Sequence, residues 1–128
     1  MMKRKYLHIA MHVAMNEFYV ENNASERLIQ LLSDTDPYIF DGSEMADLAI
    51  QDDFNKSMER QNIGEEVDAK TAYNAVKNFL SDEYVYYSQI FPDEKAEAFD
   101  KLFSKYTLDE WQEIYDDVVD YEKNGRKS

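Results

Sequence analysis

At 128 residues with 44% apolar side chains, the chain has the material for one hydrophobic core, since a core of ordinary size serves about 100 to 150 residues. Its 14% aromatic content, with ten Tyr, seven Phe and one Trp, excludes a disordered tail of low hydrophobicity. The absence of cysteine excludes disulfides, thiolate nucleophiles and cysteine-based zinc sites. A formal net charge of -13 repels nucleic-acid phosphates and anionic lipid and attracts basic partners.

Three glycines and two prolines fall where hydrophobic periodicity breaks, at Pro37, Gly42, Gly64, Pro92 and Gly125. Between these breakers the pattern predicts an all-α, single-domain bundle of about six helices, at 4–21, 25–33, 43–61, 67–90, 93–105 and 107–123, with residues 1–3 and 124–128 frayed. The opening MMKRKYLHIAMHVAM has the layout of a signal peptide, but His8 and His12 interrupt its apolar stretch and no A-x-A site follows. It reads as a helix, apolar on nearly every side, around which the others pack. No run approaches the roughly 18 to 20 apolar residues of a membrane span, so a cytoplasmic location is expected.

Ser25 before Glu26 and Ser43 before Glu44 offer caps for the second and third helices, and Asp68 with Thr71 does so for the fourth. The intervening YIF at 38–40 suits a short extended piece against the core. In the fourth helix Tyr73, Val76, Leu80, Tyr84, Tyr87 and Phe91 recur at spacings of 3, 4, 4, 3 and 4, which is a core-facing stripe. Ala96, Phe99, Phe103 and Tyr106 repeat it in the fifth. Thr107 and Glu110 form a capping box for the last helix. At about 100° per residue, its Leu108, Trp111, Ile114, Tyr115, Val118, Val119 and Tyr121 share one arc.

The opposite arc of this helix is acidic. Asp109, Glu113, Asp116 and Asp120 form a ladder at spacings of 4, 3 and 4, flanked by Glu110 and Asp117, with no Lys or Arg between 106 and 122. Like charges at these spacings oppose the helix by about 0.2–0.5 kcal/mol each. The excess acidity lies mainly after residue 40: residues 1–40 carry 4 basic and 5 acidic side chains, residues 41–128 carry 10 and 22.

Signals for catalysis are weak. His8 and His12 stand one helical turn apart, a metal-gripping spacing, but Ile-Ala-Met between them lacks the glutamate of a zinc-protease helix, and no Glu-x-x-His follows the di-metal bundle pattern. Asp34 and Asp36 fail as a calcium loop because Tyr38 and Ile39 occupy the positions needing a ligand and a glycine. There is no phosphate loop, no G-x-S-x-G elbow and no cysteine nucleophile. Glu83 interrupts the stripe of the fourth helix, where hydrogen bonding to a tyrosine or lysine accounts for it more simply than acid catalysis. Tyr86 is the one tyrosine of YVYY at 84–87 placed for partner contact.

The stretches NEFYVENNASERLIQLLSD, DGSEMADLAIQDDFNKSM and TAYNAVKNFLSDEY together resemble small all-helical immunity proteins of bacterial contact-dependent growth inhibition and other polymorphic toxin systems. The matching residues are Phe18, Asp41, Gly42, Ala46, Asp47, Ala49, Asp53 and Phe54, then Ala72, Tyr73, Ala75, Phe79 and Leu80, over about half the chain. Leu48 stands where the pattern carries proline. The resemblance implies a cognate inhibitor of a toxin domain, frequently a nuclease, basic because it must hold nucleic acid. The expected protein is therefore not an enzyme and needs no cofactor or metal. It is expected to be a monomer that meets neither nucleic acid nor membrane directly and that occludes a basic toxin. The expected contact residues are Asp109, Glu110, Glu113, Asp116, Asp117, Asp120, Tyr86, Asp47, Asp52 and Asp53, a set chosen on charge and, for Tyr86, side-chain type. The competing expectation is an acidic nucleic-acid mimic or an adaptor for another basic protein.

Overall fold

Helix formation dominates because long runs of good helix formers are interrupted only at loops. The structure, a computed structural model, describes residues 1–22, 26–39, 43–90 and 106–125, and of residues 19–22, 26–28, 83–90 and 125 the backbone alone. Five α-helices lie among them: α1 (Leu7–Asn22), α2 (Glu26–Thr35), α3 (Leu48–Arg60), α4 (Ala69–Ile90) and α5 (Leu108–Asp120). The helix expected at 93–105, the Ser25 cap, and Asp41 and Gly42 fall outside the described residues.

A small antiparallel ribbon corrects the purely helical expectation. β1 (Met2–Lys3) pairs with β2 (Glu66–Val67), Met2 opposite Val67 and Lys3 opposite Glu66, and the Arg4 N–H donates to the Glu65 carbonyl at 2.9 Å. Met2 and Lys3, within the 1–3 segment expected to fray, are thus tied down, and Met2 is 1% exposed. Burial of that methionine and two tied backbone segments offset the entropy of ordering a terminus. Two-residue strands are too short to show alternation in sequence.

α1 occupies the centre. Leu7, Ile9, Ala10, Met11, Ala14 and Met15 are buried on successive faces, and the helix packs against α2, α4 and α5. Aromatic contacts fasten the neighbours. Phe54 of α3 meets Phe79 of α4 edge-on at 5.0 Å between centroids, and Tyr73 of α4 stacks on Trp111 of α5 at 5.5 Å. The Tyr73 hydroxyl donates to the Tyr106 carbonyl at 2.9 Å, and the Tyr106 hydroxyl donates to the Ala14 carbonyl of α1 at 3.0 Å. Each tyrosine therefore buries its ring and still satisfies its polar tip.

The start of the third helix departs from expectation. Its cap is Asp47, whose side chain accepts from the N–H groups of Ala49 and Ile50 at 2.9 and 3.3 Å, so residues 43–46 form loop and not helix. Ser43 has φ 64°, a left-handed conformation that cannot begin a right-handed helix. The other end of α3 is a Schellman stop: Ile63 N–H reaches Met58 O at 2.9 Å and Asn62 N–H reaches Glu59 O at 3.0 Å, with Asn62 left-handed at φ 60°. Asp68 caps α4 by accepting from Thr71 N–H at 3.1 Å. The capping box of Thr107 and Glu110 is present in full. Two residues of YIF, expected as an extended piece packed on the core, are not buried there. Tyr38 and Ile39 are exposed, and Phe40 lies outside the described residues. No described helix is long and apolar enough to cross a membrane.

Candidate interaction face

The last helix presents the acidic face foreseen from its periodicity. Trp111, Ile114, Tyr115 and Val118 are buried, whereas Asp109, Glu110, Glu113, Asp116, Asp117 and Asp120 are all exposed. The inward face is held by Trp111 against Tyr73 and by Tyr115, whose ring meets Tyr6 edge-on at 6.2 Å and whose oxygen accepts from Lys3 N–H at 2.6 Å. The carboxylates therefore stand on a helix that cannot roll without breaking the core.

The three described ion pairs are Arg4 with Glu59, Lys56 with Asp52, and Arg60 with Asp82, and among the described residues these six carboxylates enter no ion pair. Their local partners are neutral amides: Gln112 donates to Asp116 and Asn124 donates to Asp120, each at 2.9 Å. A row of uncompensated charge on a rigid face produces a field that extends about a Debye length, near 8 Å at physiological salt.

The apolar arc is narrower than its sequence suggested. Leu108 is 41% and Tyr121 46% exposed. Both lie at the edges of that arc, and Tyr121 begins a wide π-type turn, Tyr121–Gly125. There it meets Tyr38 edge-on at 5.5 Å.

The other expected contact residues have mixed positions. Asp47 is committed to capping α3, and Asp52 is paired with Lys56 at 2.9 Å. Asp53 is exposed and enters no ion pair among the described residues. The side chains of Tyr86 and Glu83 lie outside the described residues.

The two histidines are structural anchors. His8 Nε2 lies 2.7 Å from the Ser43 carbonyl; a carbonyl only accepts, so the hydrogen sits on Nε2. His12 Nδ1 lies 3.1 Å from Thr35 Oγ1, and that hydroxyl donates to the Leu31 carbonyl at 2.7 Å, so Nδ1 is the donor. Burial holds both imidazoles below their ordinary pKa of 6.5. For His8 the Ser43 carbonyl and the charges of Glu122 and Glu44 oppose this, and for His12 Asp36 does. Among the described residues no group of three or more His, Cys, Asp or Glu is arranged to hold a metal.

A cleft of about 900 Å³ lies beside His8, between the ribbon and the Ser43–Glu44 segment. Charges of both signs line it, with Glu44, Glu59, Glu65, Glu66 and Glu122 against Lys3, Arg4 and Lys5. Arg4 is spent on structure, donating to the carbonyls of Ile63 and Asn55 at 3.1 Å each. The cleft also holds the tether from Ser43 Oγ to the Glu122 carboxylate at 2.9 Å, which fastens the 43–47 segment to the turn after α5.

Comparison with known proteins returns no match to a family model, to a curated protein or to a solved structure. Most of the described positions that carry the resemblance to immunity proteins serve folding here. Phe18, Phe54, Ala72, Tyr73, Ala75, Phe79 and Leu80 are buried, Asp47 is a cap, and Leu48 is the first residue of α3, the helical position that best tolerates proline.

Proposed function

We propose that this chain is an immunity protein that binds a cognate basic toxin domain, most simply a nuclease, and neutralises it by covering its active site or substrate-binding surface. It acts in the cytoplasm of the cell it protects, in stoichiometric amount and without cofactor. The observation that carries the reading is the face of α5: six exposed carboxylates that enter no ion pair among the described residues, on a helix locked by Trp111 and Tyr115. A solvated helix that served only solubility gains stability from interspersed lysines, and α5 has none. A nuclease must carry positive charge along its nucleic-acid track, so a fixed row of carboxylates complements that track and accelerates encounter.

The test is direct. The purified chain is mixed with the toxin domain encoded beside it, and complex formation is followed by size-exclusion chromatography while nucleic-acid cleavage is measured. A one-to-one complex with cleavage abolished supports the proposal. Cleavage that continues in the presence of excess chain overturns it.

A further inference from the structure

The contact with a basic partner needs more than charge. Interfaces draw most of their binding energy from a few central aromatic side chains and use charged rims for steering and register. Tyr38, Ile39 and Tyr121 are 39%, 55% and 46% exposed, and the two tyrosine rings touch edge-on at 5.5 Å. The pair joins segments 83 positions apart in the chain.

Their surroundings are acidic on two sides. Asp117 precedes Tyr121 by one helical turn and Asp120 is its neighbour, so the ladder of α5 runs into the aromatic pair. On the other side the loop that carries Tyr38 is folded back on the start of α3: Ala46 N–H donates to Asp36 O at 3.0 Å and Asp47 N–H to Asp34 O at 2.8 Å. Ser43, on the approach to the α3 cap Asp47, is fixed to the turn after α5 through Glu122.

We propose that Tyr38 and Tyr121, with Ile39, form the apolar anchor at which the basic partner docks, with the carboxylates of α5 as its rim. This rests on the function proposed above. The occupant is a basic protein surface with an apolar centre and not a second copy of this chain, because two such acidic rims repel each other.

Tyr121→Ala is the primary variant. Tyr38 also packs on His12, with ring centroids 6.5 Å apart, so its removal touches the fold. Ile39→Asp is the second, since its side chain is more than half exposed. Binding of the neighbouring toxin domain is measured by surface plasmon resonance at several salt concentrations, with circular dichroism as the control for folding. The expected result is a dissociation rate raised about tenfold or more, with the association rate and its salt dependence retained, and with near-normal binding by Tyr121→Phe. Wild-type dissociation in both Tyr121→Ala and Ile39→Asp overturns the anchor while leaving the proposed function standing. Failure of the wild-type chain to bind overturns that function and the anchor with it. Concentration-dependent dimerisation of the chain alone, abolished by Tyr121→Ala, overturns it in favour of a second copy.

Discussion

Reversing three charges on α5, Asp109→Lys, Asp116→Lys and Asp120→Lys together, separates electrostatic attraction from helix stability. A partner charge about 7 Å from each carboxylate interacts in water with about 0.6 kcal/mol before screening. At physiological ionic strength, with a Debye length of about 8 Å, roughly 0.25 kcal/mol survives. Three reversals, each a change of two charge units, then cost about 1.5 kcal/mol, or roughly a tenfold slower association. At about 1 M salt the Debye length is about 3 Å and the same change falls below roughly twofold. The helix itself is nearly indifferent. Lysine at 109 lies in the first turn and opposes the helix dipole, lysine at 120 lies in the last turn and complements it, and lysine at 116 gains Glu113 as a neighbour three residues away. The net change is within about 0.5 kcal/mol, or about 2 °C in Tm. Stopped-flow association with the toxin domain at low and high salt, beside a thermal melt, reads both quantities. An association rate equal to wild type at low salt, with Tm unchanged, refutes the role given to α5.

Acid stability is set by the histidines. Burial depresses both imidazole pKa values below 6.5, so the unfolded chain binds protons more readily than the folded one. Stability is full above that pH and is lost as pH falls through the window beneath it, which denaturant titrations on either side of pH 6.5 detect. The alkaline limb belongs to the tyrosines. Burial, reinforced by the charge of Glu110, pushes Tyr73 up to about 12, and burial with Glu17 and Glu110 does the same for Tyr106. Here the folded pKa is raised above the ordinary 10.0, so stability is present below pH 10 and declines from 10 toward 12. Burial also raises Tyr115, so absorbance at the phenolate band shows Tyr73, Tyr106 and Tyr115 ionising late, together with unfolding. Thr107→Ala removes the 3.1 Å bond to Glu110 N–H and half of the capping box, and should cost about 1 kcal/mol in chemical denaturation.

The parts of the fold written in local sequence were legible and those set by tertiary contact were not. Period and charge alone gave α5, its capping box and its acidic face, because cap, core arc and solvent arc agree over one helix. The Asp68 cap was equally local. Ser43 followed by Glu44 imitated a cap four residues too early; the left-handed Ser43 is held by His8 and by Glu122, partners 35 and 79 positions distant, which no window contains. The ribbon of Met2 with Val67 has two residues a side and so no period. In the candidate interface the carboxylates announced themselves by spacing, whereas Tyr38 read as a core residue and Tyr121 as part of an apolar arc. Tyr121 lies at the edge of its arc, and the position of Tyr38 depends on backbone bonds from Asp34 and Asp36 to the residues before α3. Asp47, chosen for its charge, is first of all a helix cap.

The most direct test of the account is to titrate the neighbouring toxin domain with the chain while following cleavage of a labelled nucleic acid at near-physiological salt. Activity that falls linearly to zero at one equivalent, with the onset of inhibition about tenfold slower when the α5 charges are reversed, is the predicted result. Activity that stays at its starting level through a large excess of the wild-type chain contradicts it.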